Sequence, residues 1–256
     1  MTASSSLTDR LHDRGNSTLL ASWDAYTHGA DGAAIVHAEG VAAAVFPAGP
    51  ERSVYNNALL ERDLDPVARA AAVDALEAIY GAAGVGRFAA WVHESDVGMR
   101  SELERRGYEL DEVTRSMGAV LDDVGAHADG PGPTDGSWPE YVAFLEASGV
   151  PRGLLARARA SDFHVRMLRE HGRPVAAAIA FDHAGDCGIF NVGTLEHARR
   201  RGLGSAVTAH QLHSARARGC STATLQATAM AESLYARLGF RDLGRILEFV
   251  PRGAAA

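Results

Sequence analysis

Apolar and polar residues follow two rhythms along this chain, a helical period and a strand alternation, and the changes between them mark its elements. Residues 7–28 carry a weak helical period, and Asp31-Gly32 marks a turn after it. Residues 33–38 and 41–46 read as two short strands joined at Glu39-Gly40, the pattern of a hairpin. Pro47-Ala-Gly-Pro50 breaks the chain, and residues 53–60 form a third extended segment. Asp65-Pro66 opens a helix, because Asp caps free amides and Pro suits the first helical position. Val73, Leu76 and Tyr80 share its apolar side, while Asp74 and Glu77 face away. A strand over 88–93, a helix over 96–106 and a long extended segment over 108–121 follow.

Residues 122–137 are rich in Gly, Pro and Asp, with Gly130-Pro-Gly-Pro133 at the centre, and read as a linker. Beyond it come helical segments around 141–146 and 152–159, and then a half-buried strand over 163–169. Apolar strands over 174–182 and 188–195 lead to a helix over 204–218. A strand over 222–226, a helix over 232–238 and a last strand over 246–250 complete the chain. The fold class is therefore α/β (α+β), with a first domain over 1–122, a linker over 123–137 and a second domain over 138–256.

At 256 residues and 46% hydrophobic, the chain has enough apolar mass for one large or two ordinary cores. A net charge of -7 offers no domain-wide basic face, so nucleic acid is not an expected partner. No apolar run approaches a membrane span and the N-terminus lacks an apolar signal core, so a cytoplasmic protein without membrane partners is expected. Cys187 and Cys220 are expected as small buried thiols, and no spacing suggests a metal.

The most informative stretch runs from Asn191 to Ser205. An apolar strand enters Arg199-Arg-Arg201, then Gly202-Leu-Gly204, then a helix. The first amides of a helix have no partner within it, and its dipole end is positive. Gly202 and Gly204 remove the Cβ atoms that would hold an anion away, so the stretch reads as a cradle for phosphate or pyrophosphate. An exposed turn after a basic run is the plainer reading.

The two halves repeat one plan. A shift of 135 places Phe190-Asn191 on Tyr55-Asn56, Glu196 on Glu61 and Gly219 on Gly84. A shift of 132 places Gly239-Phe240 on Gly107-Tyr108 and Arg237 on Arg105. The differences matter more: Gly202 and Gly204 fall on Val67 and Arg69, Arg200 falls on Asp65, and Tyr235 falls on Leu103. The first copy thus lacks the features that suit an anion.

Arg199-Arg-Arg-Gly-Leu-Gly204 fits the pattern Arg/Gln-x-x-Gly-x-Gly/Ala, and Leu234-Tyr-Ala-Arg-Leu-Gly-Phe240 follows it after a helix and a strand. On these two motifs the sequence resembles the GNAT superfamily of acetyl-CoA-dependent N-acetyltransferases, in a tandem arrangement with a degenerate first copy. The resemblance implies two GNAT-like domains, each a mixed, mostly antiparallel sheet with a splayed parallel strand pair flanked by helices. It implies acetyl-CoA held by the backbone of Val192, Gly193 and Thr194, with the pyrophosphate on the amides of Arg199, Arg200, Arg201, Gly202, Leu203, Gly204 and Ser205. Tyr235 corresponds to the family's general acid. Thr228 stands where many members carry an Asn that contacts the cofactor. Glu196 is the candidate base, with His197 beside it, while Asp182, His183, Asn191 and His210 have structural readings at least as good. The implied reaction is acetyl transfer to a primary amine of a small molecule or peptide by a monomer or homodimer. The alternative is a non-catalytic acyl-CoA-binding regulatory or scaffold protein, and another acyl donor, such as succinyl-CoA, fits the same fold.

Overall fold

The structure, a computed structural model, describes residues 6–49, 55–125, 132–149, 155 and 158–253. In chain order its elements are α1 (Leu7–Thr27), β1 (Ala34–Ala38), β2 (Val41–Val45), β3 (Asn57–Leu60), α2 (Pro66–Ala82), β4 (Ala89–His93), α3 (Val97–Arg105) and β5 (Tyr108–Val120). There follow β6 (Thr134–Asp135), α4 (Trp138–Ala147), β7 (His164–Glu170), β8 (Arg173–His183), β9 (Asp186–Thr194), α5 (Leu203–Ala217), β10 (Thr222–Ala227), α6 (Glu232–Arg237) and β11 (Arg241–Pro251). The centre of the expected linker, the start of the 53–60 segment and most of the 152–159 segment lie outside the described residues.

Local chemistry sets the boundaries. Asp65 caps α2 by accepting from the amides of Val67 and Ala68, and Pro66 occupies its first turn. Ser137 and Glu140 form a reciprocal capping box on α4. At the other ends, Gly84, Gly219 and Gly239 adopt positive φ. There the amides of Val85, Cys220 and Phe240 reach back to the carbonyls of Tyr80, Ala215 and Tyr235, as in a Schellman ending. Two differences from the sequence reading stand out. Thr134 and Asp135, expected in the linker, pair with Met167 and Arg166 as a short strand. The last strand begins at Arg241 rather than 246, because polar Arg241, Asp242 and Arg245 and the intervening Gly244 hide the alternation.

The chain divides into two compact units that are interleaved in sequence: Met1–Ser22 with Ser116–Leu243, and Trp23–Arg115 with Gly244–Ala256. This division differs from boundaries at 122 and 138, because the first helix contributes to the larger unit and the end of the last strand to the smaller. In the smaller unit the strand order is β1-β2-β3-β4-β11. All neighbours are antiparallel except β3 and β4. Its core gathers Val73, Leu76 and Tyr80 of α2 with Met99, Leu103, Leu247 and Phe249. In the larger unit the order is β5-β10-β9-β8-β7-β6, with β9 and β10 parallel and the ladders from β6 to β9 antiparallel. Its core includes Met117, Leu121, Ile189, Leu212, Leu225, Tyr235 and Phe240, together with Cys187 and Cys220. Both cysteines are free and buried, and burial pushes the Cys220 thiol up to about 11. No helix among the described residues is long and apolar enough to cross a membrane. No group of three or more potential metal ligands occurs among them.

One polar knot ties the larger unit together where β9 and β10 meet. The Asp186 carboxylate, 1% exposed, accepts from the hydroxyls of Thr18 at 2.8 Å, Thr222 at 2.6 Å and Thr224 at 2.7 Å. It thereby joins α1 and β10 to the first residue of β9. Hydrogen bonds to a charged group are the strong ones, and the three donors lose their acceptor if it is removed. Asp186→Ala is therefore expected to lower the unfolding free energy by about 3 kcal/mol or more, read from urea denaturation. A loss below about 1 kcal/mol would show that the knot contributes little.

Candidate functional site

The parallel ladder between β9 and β10 has three pairs, Asp186 with Thr222, Cys187 with Ala223 and Gly188 with Thr224. Beyond them the strands make no mutual pairs, although β9 continues to Thr194 and β10 to Ala227. The cause lies on the other side of β9. Gly193 stands opposite Ala177 and Phe190 opposite Ile179, so Asn191 and Val192 face the single residue Ala178. This is a β-bulge, and Asn191 takes the left-handed conformation (φ 48°) that Asn tolerates better than most residues. Gly188 is required below it, because a Cβ there would meet the Phe190 ring at 2.5 Å. The bulge bends β9, and past Gly188 and Thr224 the two parallel strands no longer pair.

The glycine loop follows the unpaired end of β9. After a 3₁₀ turn at Glu196–Ala198, Arg200 (φ 60°) and Gly202 (φ 78°) both adopt left-handed conformations, and α5 starts at Leu203, one residue earlier than the sequence indicated. Gly202 is the N-cap and supplies no side-chain cap. The first intrahelical bond runs from the Ala206 amide to the Gly202 carbonyl at 2.9 Å, so the amides of Leu203, Gly204 and Ser205 precede it. A Cβ on Gly204 would meet Leu234 at 3.5 Å, Thr194 at 3.6 Å and Val192 at 4.0 Å. The helix start thus lies against Val192 and Thr194 of β9 and Leu234 of α6. On the opposite face of β9, a Cβ on Gly193 would meet the ring of Phe144 at 3.0 Å.

The three arginines do different things. Arg199 donates from Nε to the Thr194 carbonyl at 3.2 Å. Arg201, whose backbone amide is the expected anion partner, grips Glu170 with its side chain through both terminal nitrogens, at 2.5 and 3.2 Å. Arg200 is exposed. Glu170 was not legible as a site residue, since 31 positions and no local pattern connect it to Arg201.

Tyr235 lies on α6, 6% exposed, with its ring edge-on to Phe240 at 5.8 Å between centroids. Burial pushes its phenol up to about 12. Thr228, exposed just after β10, accepts the Ala231 amide on its carbonyl at 2.8 Å. Glu196 and His197 are exposed on the 3₁₀ turn. Asp182 is occupied by Arg218, at 2.5 and 2.9 Å. His210 lies on α5, its pKa lowered first by burial and then by Arg166 and His213.

In the smaller unit the parallel pair is β3–β4. Its ladder runs through Leu59, next to the end of β3. The start of α2 is filled by Asp65, at 2.8 and 2.9 Å from the Val67 and Ala68 amides. The Arg69 guanidinium covers Gly98 and donates to the Leu64 carbonyl at 2.9 Å. Buried Asp96 accepts from the amides of both Asp63 and Met99, tying the segment after β3 to α3.

Residues 132–240 match the Acetyltransferase (GNAT) family. No curated protein matches the chain. Among solved structures, a GCN5-related N-acetyltransferase from Kribbella flavida superposes with a TM-score of 0.69 at 20% identity, covering 91% of this chain and 95% of that one. A GCN5-related N-acetyltransferase from Sphaerobacter thermophilus gives 0.60 at 16% identity, covering 88% and 86%. A conserved protein of unknown function from Staphylococcus epidermidis gives 0.59 at 15% identity, covering 86% and 93%. These three likenesses are of fold. With the family match over the strand, loop and helix just described, residues 132–240 of this chain are a GNAT acetyltransferase domain, the domain of an acyl-transferring enzyme.

Proposed function

We propose that the chain transfers an acetyl group from acetyl-CoA to a primary amine of a small molecule or peptide, by direct attack in a ternary complex in the cleft between β9 and β10. The observation that carries this reading is the uncapped, glycine-opened start of α5 lying against the part of β9 that β10 does not pair. A pantetheine chain has amides that suit an added strand, and the backbone of Val192, Gly193 and Thr194 is its partner. The pyrophosphate takes the amides from Arg199 to Ser205, in the nest formed around left-handed Arg200 and Gly202. Arg200 supplies side-chain charge, while Arg199 and Arg201 brace the loop.

In the transfer, the neutral amine nitrogen attacks the thioester carbonyl carbon. Backbone N–H groups of β9 stabilise the oxyanion that develops. The C–S bond then breaks, the departing sulfur takes the Tyr235 proton, and the new amide loses one proton to Glu196 or His197, directly or through water. A phenol near 12 is protonated throughout the neutral range and so can serve as the donor. No covalent enzyme intermediate is needed, since proximity supplies much of the rate.

We also infer that the smaller unit is a second copy of the same plan that has lost its cleft. A shift of 135 carries the Cys220–Ala215 backbone bond onto Val85–Tyr80, and the parallel pair β9–β10 onto β3–β4. Asp65, Arg69 and Asp96 fill what the other copy leaves open. The burial of Tyr235 against Phe240 favours one alternative, a non-catalytic acyl-CoA binder in which this tyrosine only packs.

Two measurements test the proposal. Ser205→Glu places a carboxylate in the first turn of α5, where it suits the helix dipole but opposes a phosphate. Thermal stability is expected to hold or rise slightly, while acetyl-CoA affinity falls at least about tenfold by calorimetry. Unchanged affinity would remove the pyrophosphate from this helix. Tyr235→Phe is expected to lower kcat by about 10²-fold with the KM for acetyl-CoA unchanged. The wild-type rate should rise with pH as the amine deprotonates, without a Tyr235-dependent fall before about pH 10. Binding without turnover on any amine would favour the alternative.

A further inference from the structure

Beside the glycine loop, on the α4 face of the larger unit, lies a concavity that shares only His197 with the groups named for the transfer. It has a volume of about 710 Å³ and runs between α4 and the β7–β8 hairpin, with Leu195 and His197 also in its wall. Local features of the chain explain it. Ala143 and Ala147 stand four residues apart on one face of α4 and leave that face without bulk. The hairpin turns tightly at His171 and Gly172, with φ of 50° and 77°, the two-residue turn with positive φ at both positions. Arg173, Pro174 and Val175 then form the opposite wall. The Leu195 amide donates to the Val175 carbonyl at 2.9 Å and fixes the end of β9 beside that wall.

The charges around the groove do not balance. Its two carboxylates are both committed. Glu140 accepts from the amide and hydroxyl of Ser137, each at 2.9 Å, and from Arg169 at 2.9 Å, and these bonds hold its carboxyl down at about 2. Glu170 is held by Arg201. Arg173 is exposed and has no ion pair among the described residues. His171 and His197 add two imidazoles able to donate hydrogen bonds. An apolar floor with an uncommitted cation on its rim is complementary to one kind of small molecule.

We propose that this groove binds a small organic carboxylate with an apolar body, the carboxylate meeting Arg173 and the body lying on Ala143, Ala147, Pro174 and Val175. The volume falls in the range of small-molecule sites, about 300–1,000 Å³. An inorganic anion would gain only the charge, and a neutral apolar molecule only the surface. The site is separate from the cleft between β9 and β10, because Phe144 covers Gly193 on this face of the strand.

The test uses the full chain saturated with coenzyme A, titrated calorimetrically with 4-phenylbutanoate and with 4-phenylbutanol. The carboxylate is expected to bind about fivefold more tightly than the alcohol, the scale of one exposed ion pair. Arg173→Gln should abolish that difference and leave the alcohol unchanged. Ala147→Trp, which fills the groove from an exposed helix position, should abolish binding of both. Three results overturn the proposal: no saturable binding of the carboxylate, an unchanged preference in Arg173→Gln, or loss of binding when coenzyme A is present. The probes are not acetylated, so binding is read whether or not acetyl transfer is found, and failure of this site is distinguishable from failure of the transferase reading.

Discussion

Three threonine hydroxyls converge on one buried carboxylate, and the candidate cleft depends on that arrangement. Asp186 fixes the point at which β9 and β10 are still paired. The bulge at Asn191 acts a few residues further on. A divergence between two strands has a defined width only if its vertex is held, and here it is held by a buried carboxylate that accepts from three hydroxyls. The parting of the two strands therefore combines a fixed base with a local distortion.

Much of this was legible in the chain, for local reasons. The Asp65-Pro66 start of α2, the glycine endings of α2, α5 and α6 and the hairpin at Gly40 each follow from the residues on the spot. So does the Gly202-Leu-Gly204 start of α5, apart from a shift of one residue. What escaped depends on residues far apart in sequence. Nothing near Arg201 announces Glu170, and nothing near Asp186 announces Thr18. The interleaving of the two units is invisible for the same reason, since no local pattern says which neighbour a strand's far end will take. Asn191 is the intermediate case: an Asn inside an apolar strand is a signal for a left-handed residue, but only the register against β8 converts it into a bulge.

The two units use the same kinds of element with opposite finish. Each places a helix between the members of a parallel strand pair. In the smaller, side chains occupy every opening: a carboxylate on the helix amides, a guanidinium over the neighbouring glycine, and a second carboxylate bridging loop and helix. In the larger, Gly202 caps the helix without a side chain, and Arg199 and Arg201 brace the loop.

The bulged, partly unpaired β9 has a consequence for how such a domain can change over time. The groups that it leaves without a partner in β10 are backbone amides and carbonyls, which every residue except proline supplies alike. Selection acting through them constrains the path of the backbone, through a few glycines and one asparagine, and leaves most flanking side chains free to drift. A domain built this way can retain its working shape long after its sequence has ceased to betray its ancestry.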